Sequence, residues 1–141
     1  MLPRLMRLLP ALWAGMLLCV AGLAAPAAFA TLPGADAGRV VGWLFRREAW
    51  LSLLLAVALL AWRWPGPKPD RGTDAALLAA AALCTLLGYF MLQPLMAAAR
   101  AGQGPLGFGA LHALSTVFFG LKTLCVLYLA WRMTMPTVSA R

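Results

Sequence analysis

A chain of 141 residues with 63% hydrophobic and only 11% charged side chains is not an ordinary soluble domain, in which about a quarter of residues are charged. The net charge of +8 comes from 12 Lys and Arg scattered at the ends of apolar blocks, which argues against the continuous basic patch a nucleic-acid surface needs. Cys19, Cys84 and Cys125 fall in three different blocks with no CxxC, arguing against a disulfide framework or a zinc site and for small buried side chains.

The apolar blocks cover residues 8–30, 40–62, 75–99 and 106–131, each with about the 20 residues a helix needs to cross ~30 Å of hydrocarbon. None has the polar outer face of a soluble bundle helix, and the mean hydropathy is +0.84. The pattern predicts an all-α, integral-membrane, antiparallel four-helix bundle forming a single domain over residues 1–141.

The first block opens with Arg4 and Arg7 and contains Ala28-Phe29-Ala30, which also reads as the cleavage site of a secretory signal peptide. Its apolar run is longer than a usual signal core, further membrane helices follow, and cleavage would leave three helices, so the segment is expected to be retained. Cys19 follows the bulky Leu18 where lipoprotein processing wants a small residue. Gly15, Ala21, Gly22 and Ala25 read as a close-packing surface, and Pro26 predicts a kink at the carbonyl of Gly22.

Residues 31–39 form a tight connection, with Pro33-Gly34 as turn and Asp36 as a helix N-cap. The second block carries Arg46-Arg47-Glu48, with Glu48 pointing towards Ser52. Residues 63–74, with Pro65, Pro67 and Pro69, read as non-helical. In the third block Thr85, Tyr89 and Gln93 share an arc of about 80°. Pro94 cannot donate to the carbonyl of Phe90, which a kink would free. After a short turn over residues 101–105, the fourth block places His112, Ser115, Thr116, Phe119, Lys122 and Thr123 on an arc of about 120°. His112 is the chain's only histidine.

Lys and Arg in short loops set orientation. Arg4, Arg7, Arg63, Lys68, Arg71, Arg132 and Arg141 gather on one side against Arg39 and Arg100 on the other, which predicts both termini in the cytoplasm. Trp13, Trp62, Trp64 and Trp131 then fit an inner aromatic belt and Trp43 an outer one, while Trp50 lies deeper and packs within the bundle.

With this topology Glu48, Gln93 and His112 each fall roughly 9–12 Å below the outer boundary at 1.5 Å per residue. Together with Arg46, Arg47, Tyr89, Ser115, Thr116 and Lys122 they form a candidate polar layer in the outer half of the bundle. Simpler readings stand beside it. Arg46 and Arg47 snorkel to headgroups. Glu48 pairs with His112, Lys122 or a neighbouring arginine, and Lys122 either meets Glu48 or snorkels inward. Tyr89, Gln93, His112 and Ser115 serve as an inter-helix hydrogen-bond network. Met91 and Met96 are packing residues, or soft metal ligands beside His112. Met133 and Met135 form an M-x-M, a weak copper cue.

These residues carry a family resemblance. Trp13-Ala14-Gly15 and Ala25-Pro26-Ala27-Ala28-Phe29-Ala30 come first, followed by Leu44-Phe45-Arg46-Arg47-Glu48-Ala49-Trp50. Gln93-Pro94 and Phe108-x-x-x-His112-x-x-Ser115 complete the order. Together they resemble a bacterial four-helix membrane family of unknown function, to which the eukaryotic transmembrane protein 205 is similar. The resemblance spans nearly the whole chain and implies a bacterial inner-membrane location but no established activity. Where that pattern has His-Gly-x-Ser-Ser, this chain has His112-Ala113-Leu114-Ser115-Thr116, which removes a glycine-dependent close contact. More distantly the chain looks like copper-resistance membrane proteins of the copper D type and haem-containing bacterial protoporphyrinogen oxidases. That likeness implies His112 as a copper or haem ligand, with Met91 or Met96 assisting.

The expected function is therefore a scaffold, accessory subunit or small-solute permease without a cofactor. Its expected partners are the lipid bilayer and a second copy or another membrane protein, and not nucleic acid. The alternative is a copper- or haem-binding redox protein using His112, where a haem held by two histidines would need a second chain. Hydrolysis through Glu48, His112 and Ser115 ranks third, because no oxyanion hole is apparent.

Overall fold

The computed structural model describes the backbone of residues 2–63 and 68–134 and the side chains of residues 6–62 and 72–134. Trp64, Pro65, Pro67, Met135, Arg141 and the side chains of Arg4, Arg63, Lys68, Pro69 and Arg71 lie outside the described residues. The described residues form four helical rods. Rod α1 covers residues 2–31 as an α-helix over Leu2–Cys19, a π-turn over Val20–Ala24 and a second α-helical stretch over Ala25–Thr31. Rod α2 is Gly34–Arg63. Rod α3 covers residues 68–100, as Lys68–Thr85, a π-turn over Leu86–Met91, and Leu92–Arg100. Rod α4 is Phe108–Thr134.

Three rods contain a segment long and apolar enough to cross a membrane: Met6–Thr31, Gly72–Arg100 and Phe108–Thr134. Among the described residues α2 does not meet that measure, because Arg46-Arg47-Glu48 interrupt its apolar run. The outside of the bundle is apolar, with Leu12, Leu23, Leu54, Val57, Leu124 and Trp131 all exposed. Such continuous apolar cover is foreign to a soluble monomer.

Helix boundaries differ from the apolar blocks because polar residues join the helices. The carbonyl of Pro33 accepts the N–H groups of Asp36 and Ala37, both at 2.9 Å, so α2 begins six residues earlier than the sequence suggests. Asp36 is therefore not the N-cap. It sits inside the first turn, where a carboxylate opposes the helix dipole, and it pairs with Arg39. Similarly, α3 begins at Lys68, ahead of the expected end of the non-helical stretch. Pro69 falls in its first turn, where a missing N–H costs nothing.

The turn after α3 is a Schellman motif. Gln103 N–H bonds to Ala98 O at 2.9 Å and Gly102 N–H to Ala99 O at 3.2 Å, with Gly102 at φ 72°. A side chain is strained in that conformation, so Gly102→Ala is expected to cost about 1 kcal/mol. Thermal unfolding in detergent would show a lowered midpoint; an unchanged midpoint would contradict this account of the turn.

Both π-turns precede a proline. Pro26 would clash with the carbonyl of Gly22 and Pro94 with that of Phe90, and each carbonyl lies within a π-turn, Val20–Ala24 or Leu86–Met91. The widened turn accommodates the ring without breaking the rod. Bonding resumes from Ala25 N–H to Val20 O and from Leu92 N–H to Leu87 O and Tyr89 O.

The principal contacts run α1–α4, α4–α3, α3–α2 and α2–α1, closing a ring with α2 and α4 on a diagonal. The main core packs Trp13, Leu17, Leu59, Leu78, Val126 and Leu129. A smaller cluster of Leu92, Met96 and Leu111 fills the end near the α3–α4 turn.

Several packing expectations reverse. Gly15, Ala21 and Gly22 are exposed, and a Cβ on either glycine would meet no neighbouring atom within 4 Å. Close contacts on α1 come instead from Ala14, Leu17 and Ala28. Cys19 is exposed rather than buried, Cys84 and Cys125 are half-buried, and all three are free thiols. Trp13 is 1% exposed and Trp50 61%, the opposite of the belt reading. Trp13 turns inward because its indole N–H finds an acceptor there, while Trp50 stands edge-on to Phe90 at the surface.

Candidate functional site

Glu48 and Ser52 are four residues apart on α2 and share a face. The Ser52 hydroxyl donates to Glu48 Oε1, and Trp13 Nε1–H donates to Ser52 Oγ at 2.9 Å. From across the diagonal, Lys122 Nζ donates to the same Glu48 oxygen at 2.7 Å and lies 4.6 Å from the Phe119 ring centroid. The Lys122 and Glu48 side chains are 3% and 2% exposed, so this ion pair is enclosed. Of the partners open to Glu48 in the sequence, the structure selects Lys122.

Depth explains the choice. Glu48 and Lys122 each stand fourteen residues beyond the first residue of their helix, Gly34 and Phe108, and so about 21 Å from the same end of the bundle. Gln93 and His112 lie only about 10 Å and about 6 Å from that end. The proposed single layer therefore separates into two levels, because α2 and α4 do not begin where their apolar runs do.

His112 does not face inward. It is exposed, its ring stacked on Phe108 at 5.7 Å between centroids, and the Arg100 guanidinium lies 4.5 Å from the same Phe108 ring. On α4 the buried positions are Leu111, Lys122, Thr123, Val126, Leu129, Ala130 and Met133, an arc of about 120°. His112 is turned about 100° from Leu111. Rod α1 contacts α4 chiefly along Leu2–Cys19, leaving the His112 face uncovered. Thr116 is also exposed, its hydroxyl returned to the His112 carbonyl at 2.9 Å. Arg47 is exposed over the Trp43 ring at 5.2 Å.

Ser115 Oγ donates to the Gly88 carbonyl at 2.7 Å, so the π-turn carbonyl engaged by another rod is that of Gly88 rather than the expected Phe90. Here α3 and α4 approach closely: a Cβ on Gly88 would lie 2.5 Å from Phe118 Cβ. Glu48, His112 and Ser115 thus point to three different places, and the hydrolytic arrangement is not assembled.

Met96 is buried against Leu92 and Leu111, whereas Met91 and His112 are exposed. Among the described residues no three His, Cys, Asp or Glu side chains gather as a metal-binding group.

Arg46, Tyr89 and Gln93 do come together, in a groove of about 740 Å³ that the sequence reading did not single out. One wall is α2, with Gly34, Gly38 and Gly42 at four-residue intervals and Arg39 and Arg46 beside them. The facing wall is α3, with Tyr89, Gln93 and Arg100. Phe29, Trp43 and Phe108 add aromatic cover. The repeated glycines flanked by arginines were the available signal. A second polar contact lies towards the other end of the bundle, where Arg132 Nε meets the buried Asp74 carboxylate at 3.2 Å.

Residues 8–104 match a family model described as a domain of unknown function, DUF4149. The chain belongs to the DUF4149 family. No curated protein and no solved structure matches it. The DUF4149 match takes in α2, with Arg39, Arg46 and Glu48, and the part of α3 bearing Tyr89, Gln93 and Arg100. It ends before α4, so Lys122, His112 and the Phe108-x-x-x-His112-x-x-Ser115 pattern lie beyond the matched residues.

Proposed function

We propose that this chain is a multi-pass protein of the bacterial inner membrane, of the transmembrane protein 205-like type, acting as an accessory or scaffold subunit rather than as a catalyst. The observation that carries this reading is that the interior polar groups are satisfied by one another. Among the described residues no buried side-chain nitrogen or oxygen lacks a hydrogen-bond partner. Glu48 is held by Lys122 and Ser52, and Ser115 by the Gly88 carbonyl, which leaves none of them poised to attack or protonate a substrate. What remains available is the groove and the apolar exterior. In this reading the partners are the bilayer and another membrane chain or a second copy.

The excess of Lys and Arg on the side of the chain termini supports a cytoplasmic location for both. Reporter fusions at residue 141 are expected to be active only in the cytoplasm, and periplasmic activity there would overturn this orientation. Absorbance and metal analysis of protein purified from cells supplied with copper and haem should show neither. A Soret band or stoichiometric copper lost in His112→Ala would instead establish the redox alternative.

A further inference from the structure

We propose that the groove between α2 and α3 holds the phosphate-bearing headgroup of an anionic lipid, an inference that rests on the membrane-embedded reading above. Three arginines converge on it, and Asp36 offsets only Arg39. Arg46 has no acidic partner among the described residues, and Arg100 lies against a neutral ring. Uncompensated guanidinium groups at a membrane boundary attract an anion, and their planar donors suit phosphate oxygens.

The vertical spacing fits a lipid. Arg100 ends α3 and Arg39 lies in the second turn of α2, both close to the bundle end, while Arg46 is about 10 Å deeper. Phosphate would sit between these levels. Tyr89 and Gln93 offer hydrogen bonds to glycerol or ester oxygens beneath it, and Phe29, Trp43 and Phe108 supply apolar cover for the start of the acyl chains.

A Cβ at Gly34, Gly38 or Gly42 would touch nothing within 4 Å, so the α2 wall of the groove is open to a ligand. A second copy seated face to face would bring two sets of arginines together, and that repulsion favours lipid over self-association.

The test uses the full-length protein, first co-floated with phosphatidylcholine liposomes and then, in neutral detergent, examined by native mass spectrometry with added dioleoyl-phosphatidylglycerol or dioleoyl-phosphatidylcholine. Retention of one phosphatidylglycerol per chain, at least roughly tenfold above phosphatidylcholine, is expected. Arg46→Gln with Arg100→Gln should reduce that preference about tenfold. Gly38→Leu should abolish retention without lowering the thermal midpoint, because its Cβ enters open space and leucine favours the helix over glycine. Equal retention of the two lipids, or undiminished retention in Gly38→Leu, overturns the proposal. So does inorganic phosphate displacing the lipid at equal concentration, or a dimer that Gly38→Leu dissociates. Failure to co-float would instead refute the membrane reading on which the proposal rests.

Discussion

Replacing Lys122 with methionine, or Glu48 with glutamine, is expected to lower the stability of the detergent-solubilised protein by about 3–5 kcal/mol. Each change leaves one member of an enclosed ion pair without its counter-charge. In Lys122→Met the Glu48 carboxylate would keep only the Ser52 hydroxyl, and in Glu48→Gln the Lys122 ammonium would keep a neutral amide oxygen and the Phe119 ring. Joining the two changes should recover most of the loss, because an apolar or neutral pair of similar volume tolerates burial as well as an ion pair does. Unfolding by sodium dodecyl sulfate, followed by circular dichroism across the four-member cycle, measures the coupling. Additive losses would show that the contact, although short, does not link α2 to α4 energetically.

Gly88→Ala should be the next most damaging substitution, at about 1–3 kcal/mol. The new Cβ would lie 2.5 Å from Phe118 Cβ, and that atom belongs to the base of the neighbouring side chain rather than to a tip that can swing away. Relief requires α3 and α4 to separate, which stretches the bond from Ser115 to the Gly88 carbonyl. Phe118→Ala keeps the clashing carbon and should not rescue the variant; Phe118→Gly should. Rescue by Phe118→Ala would place the strain in the ring instead. The same detergent unfolding assay distinguishes the two.

The helical class and the number of rods were legible because apolar runs of membrane length allow few alternatives. Their ends were not. Hydropathy reports where carbon side chains stop, whereas Pro33, Asp36 and the first turn at Lys68 extend helices into polar sequence. That six-residue difference in α2 moved Glu48 about 9 Å deeper and dissolved a polar layer drawn from block boundaries. Angular reasoning fared differently on different rods. Ser52 was correctly placed beside Glu48, because the relation is internal to one helix. His112 was wrongly placed inward, because its exposure depends on where α1 parts from α4. The groove is hard to read from sequence for a related reason: Gly34 and Gly38 fall in a segment that reads as a connecting loop, and Gly42 in an apolar block.

The pairing of Glu48 with Lys122 also bears on how the bundle is made. Rods α1, α3 and α4 contain segments long and apolar enough to cross a membrane, but α2 carries the enclosed Glu48 near its centre, and a charge at the centre of a membrane helix costs about 2.5–3.5 kcal/mol on insertion. Its neutralising partner lies 74 residues later in the chain. At translation rates of about 5–20 residues per second, the ribosome delivers it roughly 4–15 s afterwards. On the membrane reading proposed above, α2 is the reluctant member of the assembly during that interval, and its residence in the bilayer depends on α4 rather than on its own composition.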